Sequence, residues 1–160
     1  INEIFHAIVK VDVNEQEFLE LLDFNEQKMM PILGGKLYNG VYEGIKLLSA
    51  KYKLYMVSNC GADGLKNFLK FTHMEPFFRG TLTYGETLLP KADNIKLLID
   101  NNNLSNAVYV GDTQGDCNAA HKAGIPMIFA KYGFGKCEDA EFSIESFPEL
   151  LDLLFKKLYI

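Results

Sequence analysis

In VYVGDTQGDCNAAHKAG, residues 108–124, an apolar run meets the pair Gly111–Asp112, and a second aspartate, Asp116, follows four positions later. Four residues is about one helical turn, so both carboxylates can face one cleft. Two ionised carboxylates about 5 Å apart repel by roughly 3 kcal/mol at an effective dielectric of 20. A helix N-terminus offsets about 0.3–1 kcal/mol of this, and a divalent cation offsets far more. Magnesium suits the setting because it takes oxygen ligands and typically uses one or two carboxylates plus a substrate phosphate. The same two residues also suit a plain helix start, with Asp112 as the cap and Asp116 favouring the dipole.

Two other places carry polar residues where apolar runs end. Ser58 and Asn59 close KLYMVS, where a small hydroxyl and adjacent backbone N–H groups can hold a phosphate oxygen or simply start a helix. Lys91 follows Pro90 and opens ADNIKLLID. A cation is unfavourable at the positive end of a helix unless an anion sits beside it.

The elements that must position these residues follow from periodicity. From Val41 onward, helical stretches alternate with short apolar runs: VYEGIKLLSAKY then KLYMVS, a helix from about Asp63 then GTLTY, NIKLLIDNN then AVYVGD, CNAAHKAG then PMIFA, and a closing FPELLDLLFKKL. This alternation predicts an α/β fold, a Rossmann-like, mainly parallel sheet with helices on both faces. Ligands in such sheets bind outside the carboxyl ends of the strands, where Ser58, Asn59 and Asp112 fall. The helix after Asp112 should stop at Gly124, with Pro126 just beyond. Residues 2–33 read instead as two amphipathic helices, with Ile4, Phe5, Ile8 and Val9 on one face, Phe18, Leu21 and Leu22 on the next, and Asn14 with Glu17 as a helix start. Pro31 and the two glycines of PILGG end that region, and a hinge or domain boundary is expected between Gly34 and Gly40.

Taken together, strand-Ser58-Asn59, Pro90-Lys91 opening a helix, and strand-Gly111-Asp112-Thr113 with Asp116 resemble the second, third and fourth motifs of the haloacid dehalogenase-like hydrolases. The resemblance spans about residue 38 to the C-terminus and is nearest to the phosphoglycolate phosphatase-like branch; LYNGVYEGIKLLSAKY resembles the re-entry from a helical cap, and YGFG at 132–135 suits the same branch. It implies a partial helical cap over 1–38 and an α/β core over 39–160. It also implies that Ser58 donates to a phosphate oxygen, with Asn59 beside it, and that Lys91 balances charge between nucleophile and phosphoryl group. Asp112 would be a magnesium ligand, and Asp116 would ligate the metal or orient its water shell. The implied activity is Mg2+-dependent hydrolysis of a small phosphorylated metabolite through an aspartyl-phosphate.

One motif is absent. The family's first strand ends in Asp-x-Asp, which supplies nucleophile and general acid, and no such pair is found; Asp12 in KVDVNE lacks both the second aspartate and the long apolar run before it. In the family's sheet that strand lies between those ending at Ser58 and Val110, and its removal leaves backbone groups that cost about 1–3 kcal/mol each if buried unpaired. The expectation is therefore a segment ahead of Ile1 carrying that strand, the nucleophile and the first part of the cap. Otherwise the flanking strands close up, giving a catalytically inactive relative that binds phosphate or a partner. A 2-haloacid dehalogenase is less favoured, since two aspartates point to a metal that halide chemistry does not need.

Bulk properties narrow the classes. A chain of 160 residues supports one main domain, and a net charge of −5 with scattered lysines argues against nucleic-acid or anionic-membrane partners. Cys60, Cys117 and Cys137 are too few and too irregularly spaced for a disulfide framework or a Cys-x-x-Cys zinc site, and a reducing cytoplasm is the default compartment. No apolar run reaches the roughly 18 residues of a membrane span, and no signal-peptide pattern is present. Cys60 and Cys117 border the proposed site, but a thiolate nucleophile there lacks a neighbouring histidine base in the sequence. His6, His73 and His121 read as structural residues, and Met29, Met30, Phe77 and Phe78 as packing residues.

Overall fold

The computed structural model describes residues 34–157 and, before them, residues 14, 16–18, 20, 21, 24, 28 and 32. The expected first helix, with His6, and the Met29–Met30 pair lie outside the described residues. Asn14 does start a helix, because its Oδ1 accepts the backbone N–H groups of Gln16 and Glu17. Leu21 of the second apolar stripe is exposed. Residues 34–38 carry no regular structure.

After them the chain alternates as its hydrophobic pattern requires. Helix α1 (Val41–Ser49) leads to strand β1 (Leu54–Ser58), α2 (Gly64–Thr72) to β2 (Phe78–Thr83), and, after a single helical turn at Tyr84–Thr87, α3 (Lys91–Asn102) to β3 (Tyr109–Gly111). Helix α4 (Gln114–Lys122) then leads to β4 (Met127–Ala130), and β5 (Phe142–Ile144) to α5 (Phe147–Asp152). All ladders are parallel: β1 with β2, β3 with β4, and β4 with β5. Strand β5 was not expected, since EFSIES offers only Phe142 and Ile144 as alternating apolar residues.

Both faces of the sheet are covered. Ile128 and Ala130 of β4 join Leu48 of α1 and Phe147 and Leu150 of α5 in one apolar cluster. Met127 faces the other way, onto Cys117 and Ala120 of α4. This is the two-residue alternation of a strand buried on both sides. A further cluster joins α3 to α4 through Ala92, Ile95 and Ala119, with Val57 of β1 and Tyr109 of β3 packed against it. Among the described residues no helix is long and apolar enough to cross a membrane.

Among the described residues the sheet is nevertheless in two pieces. Among the described residues β1 pairs only with β2, and β3 only with β4. Between them runs a cavity of about 590 Å³, lined along its length by Tyr55, Met56 and Val57 on one side and Tyr109 and Val110 on the other. Every residue of β1 is only half-buried, and Val110 in mid-strand is 37% exposed. The flanking strands therefore do not close up into a ladder. Instead the Tyr109 hydroxyl donates across the slot to the Val57 carbonyl at 3.4 Å.

Candidate active site

The turn after β3 is built around Asp116. Thr113, not Asp112, is the N-cap of α4: its Oγ1 accepts the Asp116 N–H at 3.1 Å and its hydroxyl donates back to Asp116 Oδ2 at 2.8 Å. The same Oδ2 accepts the backbone N–H groups of Asp112 and Thr113, both at 3.2 Å. Asp116 Oδ1 takes the Lys91 ammonium at 2.5 Å, in an ion pair where the lysine side chain is 20% exposed and the aspartate 6%. Lys91 is the first residue of α3, so Asp116 is the anion that makes a cation tolerable at that helix start. Burial pushes the Asp116 carboxyl up, but Lys91 and Thr113 together outweigh it and hold the group below its ordinary range.

Asp112 is held separately. Its Oδ2 accepts the Phe134 N–H at 2.8 Å, and its backbone carbonyl accepts the Gly135 N–H at 3.1 Å. The turn in YGFG thus closes directly over the aspartate. Two glycines are required by this closeness: a Cβ on Gly133 would collide with the Asp112 side chain, and one on Gly111 would lie 2.6 Å from the Asp116 Cβ.

Ser58 ends β1 opposite Thr83, the last residue of β2. Its Oγ accepts the Cys60 N–H at 3.2 Å, and Asn59 is exposed beside it. The Gly85 N–H donates to the Cys60 carbonyl, tying the loop after β1 to the one after β2. The structure thus joins Lys91, Asp112 and Asp116 directly by hydrogen bonds and leaves Ser58 and Asn59 on the neighbouring strand end. Among the described residues, no hydrogen bond links those two to the other three.

This arrangement offers hard oxygen donors and a cation, with the Ser58 hydroxyl and the exposed Asn59 on the neighbouring strand end, at the carboxyl ends of parallel strands. Asp112 carries one carboxylate oxygen that accepts no hydrogen bond among the described residues, so its donor chemistry fits magnesium. Asp116 has both oxygens engaged. The sequence pattern carried Thr113 within strand-Gly-Asp-Thr and Gly133 within YGFG but gave neither a role, and it gave no sign of the Phe134 N–H. Thr113 was recoverable, since Thr-x-x-Asp is a capping-box spacing; a backbone N–H arriving from 22 residues away leaves no local signal.

Comparisons with known proteins bear on the family and the fold. The family described as haloacid dehalogenase-like hydrolase matches residues 2–130. Among solved structures, a haloacid dehalogenase-like family protein from Streptococcus pneumoniae superposes with a TM-score of 0.76 at 20% identity, over 89% of this chain and 72% of that one. A protein from Haemophilus somnus 129pt, described as a predicted phosphoglycolate phosphatase, gives 0.76 at 23% identity, over 89% and 68%. A HAD-hydrolase from Bacillus subtilis, described as bound to magnesium, gives 0.67 at 12% identity, over 96% and 88%. No protein with a curated description matches closely.

Proposed function

The chain belongs to the haloacid dehalogenase-like hydrolase family, and from that premise we propose that it acts as a magnesium-dependent phosphatase on a small phosphorylated metabolite. The observation that carries this reading is the Lys91–Asp116 ion pair at 2.5 Å, set one hydrogen bond from Asp112. It holds a cation where a transferring phosphoryl group needs its charge offset, beside a carboxylate with a free oxygen for a metal. Phosphoryl transfer asks mainly for positioning and charge neutralisation.

In this reading Asp112 ligates magnesium, which when bound neutralises charge on the phosphate oxygens. Asp116 orients Lys91 and the metal's water shell, while the Ser58 hydroxyl and the Asn59 N–H bind the remaining phosphate oxygens. A carboxylate oxygen bonds to phosphorus as the ester P–O bond breaks and the leaving oxygen takes a proton. Water then cleaves the acyl phosphate. No described carboxylate directly follows β1, and Asp112 is committed to Phe134, so we assign the nucleophile to an extended segment lying in the slot between β1 and β3.

The test is turnover of p-nitrophenyl phosphate by the protein from its native source, with and without Mg2+. Turnover that needs Mg2+ and disappears in Asp112→Asn supports the reading. Magnesium-independent turnover, or release of halide from a 2-haloacid, overturns it. Phosphate binding without turnover favours the second reading, an inactive phosphate- or partner-binding relative, which rests on the nucleophile's absence from the described strand ends.

A further inference from the structure

A second cluster of metal-binding side chains sits on α4, one helical face away from Asp116, and has no part in the chemistry above. Cys117 and His121 are four residues apart on the helix, so their side chains share a face. Opposite them, Cys137 and Asp139 come from the segment between the YGFG turn and β5. The Cys117 and Cys137 sulfurs and an Asp139 oxygen all lie within 4.8 Å of one another.

We propose that Cys117, His121, Cys137 and Asp139 form a four-coordinate site for a zinc ion. Zinc takes thiolates at about 2.3 Å and imidazole or carboxylate at about 2.0–2.2 Å in a tetrahedron. The edges of such a tetrahedron are then about 3.3–3.8 Å. Cys117 Sγ is 3.3 Å from Asp139 Oδ1 and 3.9 Å from His121 Nδ1. Cys137 Sγ is 3.7 Å from Asp139 Oδ1, and His121 Nδ1 is 3.8 Å from Asp139 Oδ2. Cys117, Cys137 and Asp139 thus already lie close to one another, and His121 stands beside Cys117 and Asp139, from where a small shift of its ring would complete the set.

The surroundings are those of a metal site rather than of a disulfide. His121 Nε2 meets Glu141 Oε1 at 3.0 Å, and Nδ1, which lies 3.9 Å from the Cys117 sulfur, has no partner closer than Asp139 Oδ2 at 3.8 Å among the described residues. Glu141 is itself anchored by the Met127 N–H at 2.7 Å. A carboxylate fixing the far nitrogen of a ligating histidine is the usual outer shell of a zinc site. On the other side, Gln114 Nε2 donates to Asp139 Oδ1 at 2.7 Å, and Gln114 Oε1 accepts the Glu138 N–H. A disulfide between the two cysteines would leave both of these carboxylate placements without purpose.

Zinc binding releases one proton from each thiol to water and forms two Zn–S bonds with no change of oxidation state. Its structural effect would be to tie the segment after Phe134 to α4, and so to steady the backbone N–H that holds Asp112.

The test is zinc titration of the purified, reduced protein against a chromophoric chelator, with metal content measured by mass spectrometry and cobalt(II) substituted as an optical probe. One zinc per chain and a thiolate-to-cobalt charge-transfer band are expected. Cys137→Ser should lose the band and weaken zinc binding by more than about 100-fold, since a ligand matters more than the outer shell. Glu141→Gln should weaken it by about 10–100-fold; this variant keeps an acceptor for Met127 and decides the matter if Cys137→Ser fails to fold. Asp112→Asn should leave zinc content unchanged, which separates this site from the proposed magnesium site. Zinc binding that is no tighter in the native sequence than in Cys137→Ser and Glu141→Gln overturns the proposal. So does recovery of a Cys117–Cys137 disulfide from protein digested before any reductant is added.

Discussion

Asp116 accepts from four donors at once, three on one oxygen and Lys91 on the other. Removing its charge while Lys91 stays half-buried should cost more than either change made in the other's absence. Asp116→Asn and Lys91→Met are expected to couple favourably by about 0.5–3 kcal/mol in a double-mutant cycle read by urea unfolding; additive effects would mean that the pair is only a surface contact. Gly133 gives a sharper separation of structure from activity. Its missing Cβ is space that the Asp112 side chain occupies, so Gly133→Ala should displace that carboxylate. A misplacement of about 1 Å can cost about 100-fold in rate, so Mg2+-dependent turnover of p-nitrophenyl phosphate should fall by that order while the variant stays folded. At this scale the sequence pointed to Asp112, Lys91 and Asp116 because the first follows a strand, the second opens a helix and the third sits in a helix's first turn. It did not show Cys117 and His121 as partners of Cys137 and Asp139, because those pairs lie about 20 residues apart and meet only once β4 has brought the chain back. A histidine beside Cys117, missing from the immediate sequence, was supplied one helical turn away, with the sulfur 3.8 Å from its Nε2.

Two of the helical starts near the site are fixed by the same device. Thr83 caps the turn Tyr84–Thr87 through a reciprocal box with Glu86, as Thr113 caps α4 with Asp116. Thr83 is fully buried, so Thr83→Ala should cost about 0.5–2 kcal/mol of unfolding free energy. Glu86 also meets Lys66 at 2.8 Å, joining α2 to this turn. Burial pushes the Glu86 carboxyl up, but Lys66 and the Thr83 N–H and hydroxyl outweigh it, so the group sits below its ordinary value in the folded protein. The sign follows from linkage. The contribution of a carboxylate stabilised by folding is present above its ordinary value of about 4.3 and is lost as pH falls through the lower folded value. The stability gap between the native protein and Glu86→Gln should therefore hold from pH 7 to about pH 5 and shrink towards zero below about pH 4 in urea titrations; a gap constant with pH would assign the role to shape alone. The alternation of helix and strand was legible because fully buried parallel strands such as MIFA are unbroken apolar runs. Strand β5 was not, because its two apolar residues gain meaning only from pairing with β4.

At the scale of the whole fold the governing fact is that, among the described residues, the sheet has a strand-shaped gap between β1 and β3. Central parallel strands normally satisfy their backbone groups on both edges, and bare edges are templates for another strand. The sequence implied this gap only through what it lacked, since the Asp-x-Asp strand was the one motif with no counterpart. Its width and its bridging by Tyr109 had no sequence signal. The consequence is measurable in amide exchange. Amides of β1 and β3 that face the slot should exchange much faster than those of β4, where every residue is buried. An apolar, strand-length peptide ending in Asp-x-Asp should then slow exchange at Met56, Val57 and Val110, because lying in the slot it would pair with both bare edges by β-addition. Entered parallel to its neighbours, such a strand brings its carboxylates out between Ser58 and Asp112, where the proposed nucleophile is needed. Protection of these amides without any gain in Mg2+-dependent turnover would keep the slot as a strand site and shift the function towards binding. No change in exchange at either edge would remove the slot from the mechanism, and with it the position assigned to the nucleophile.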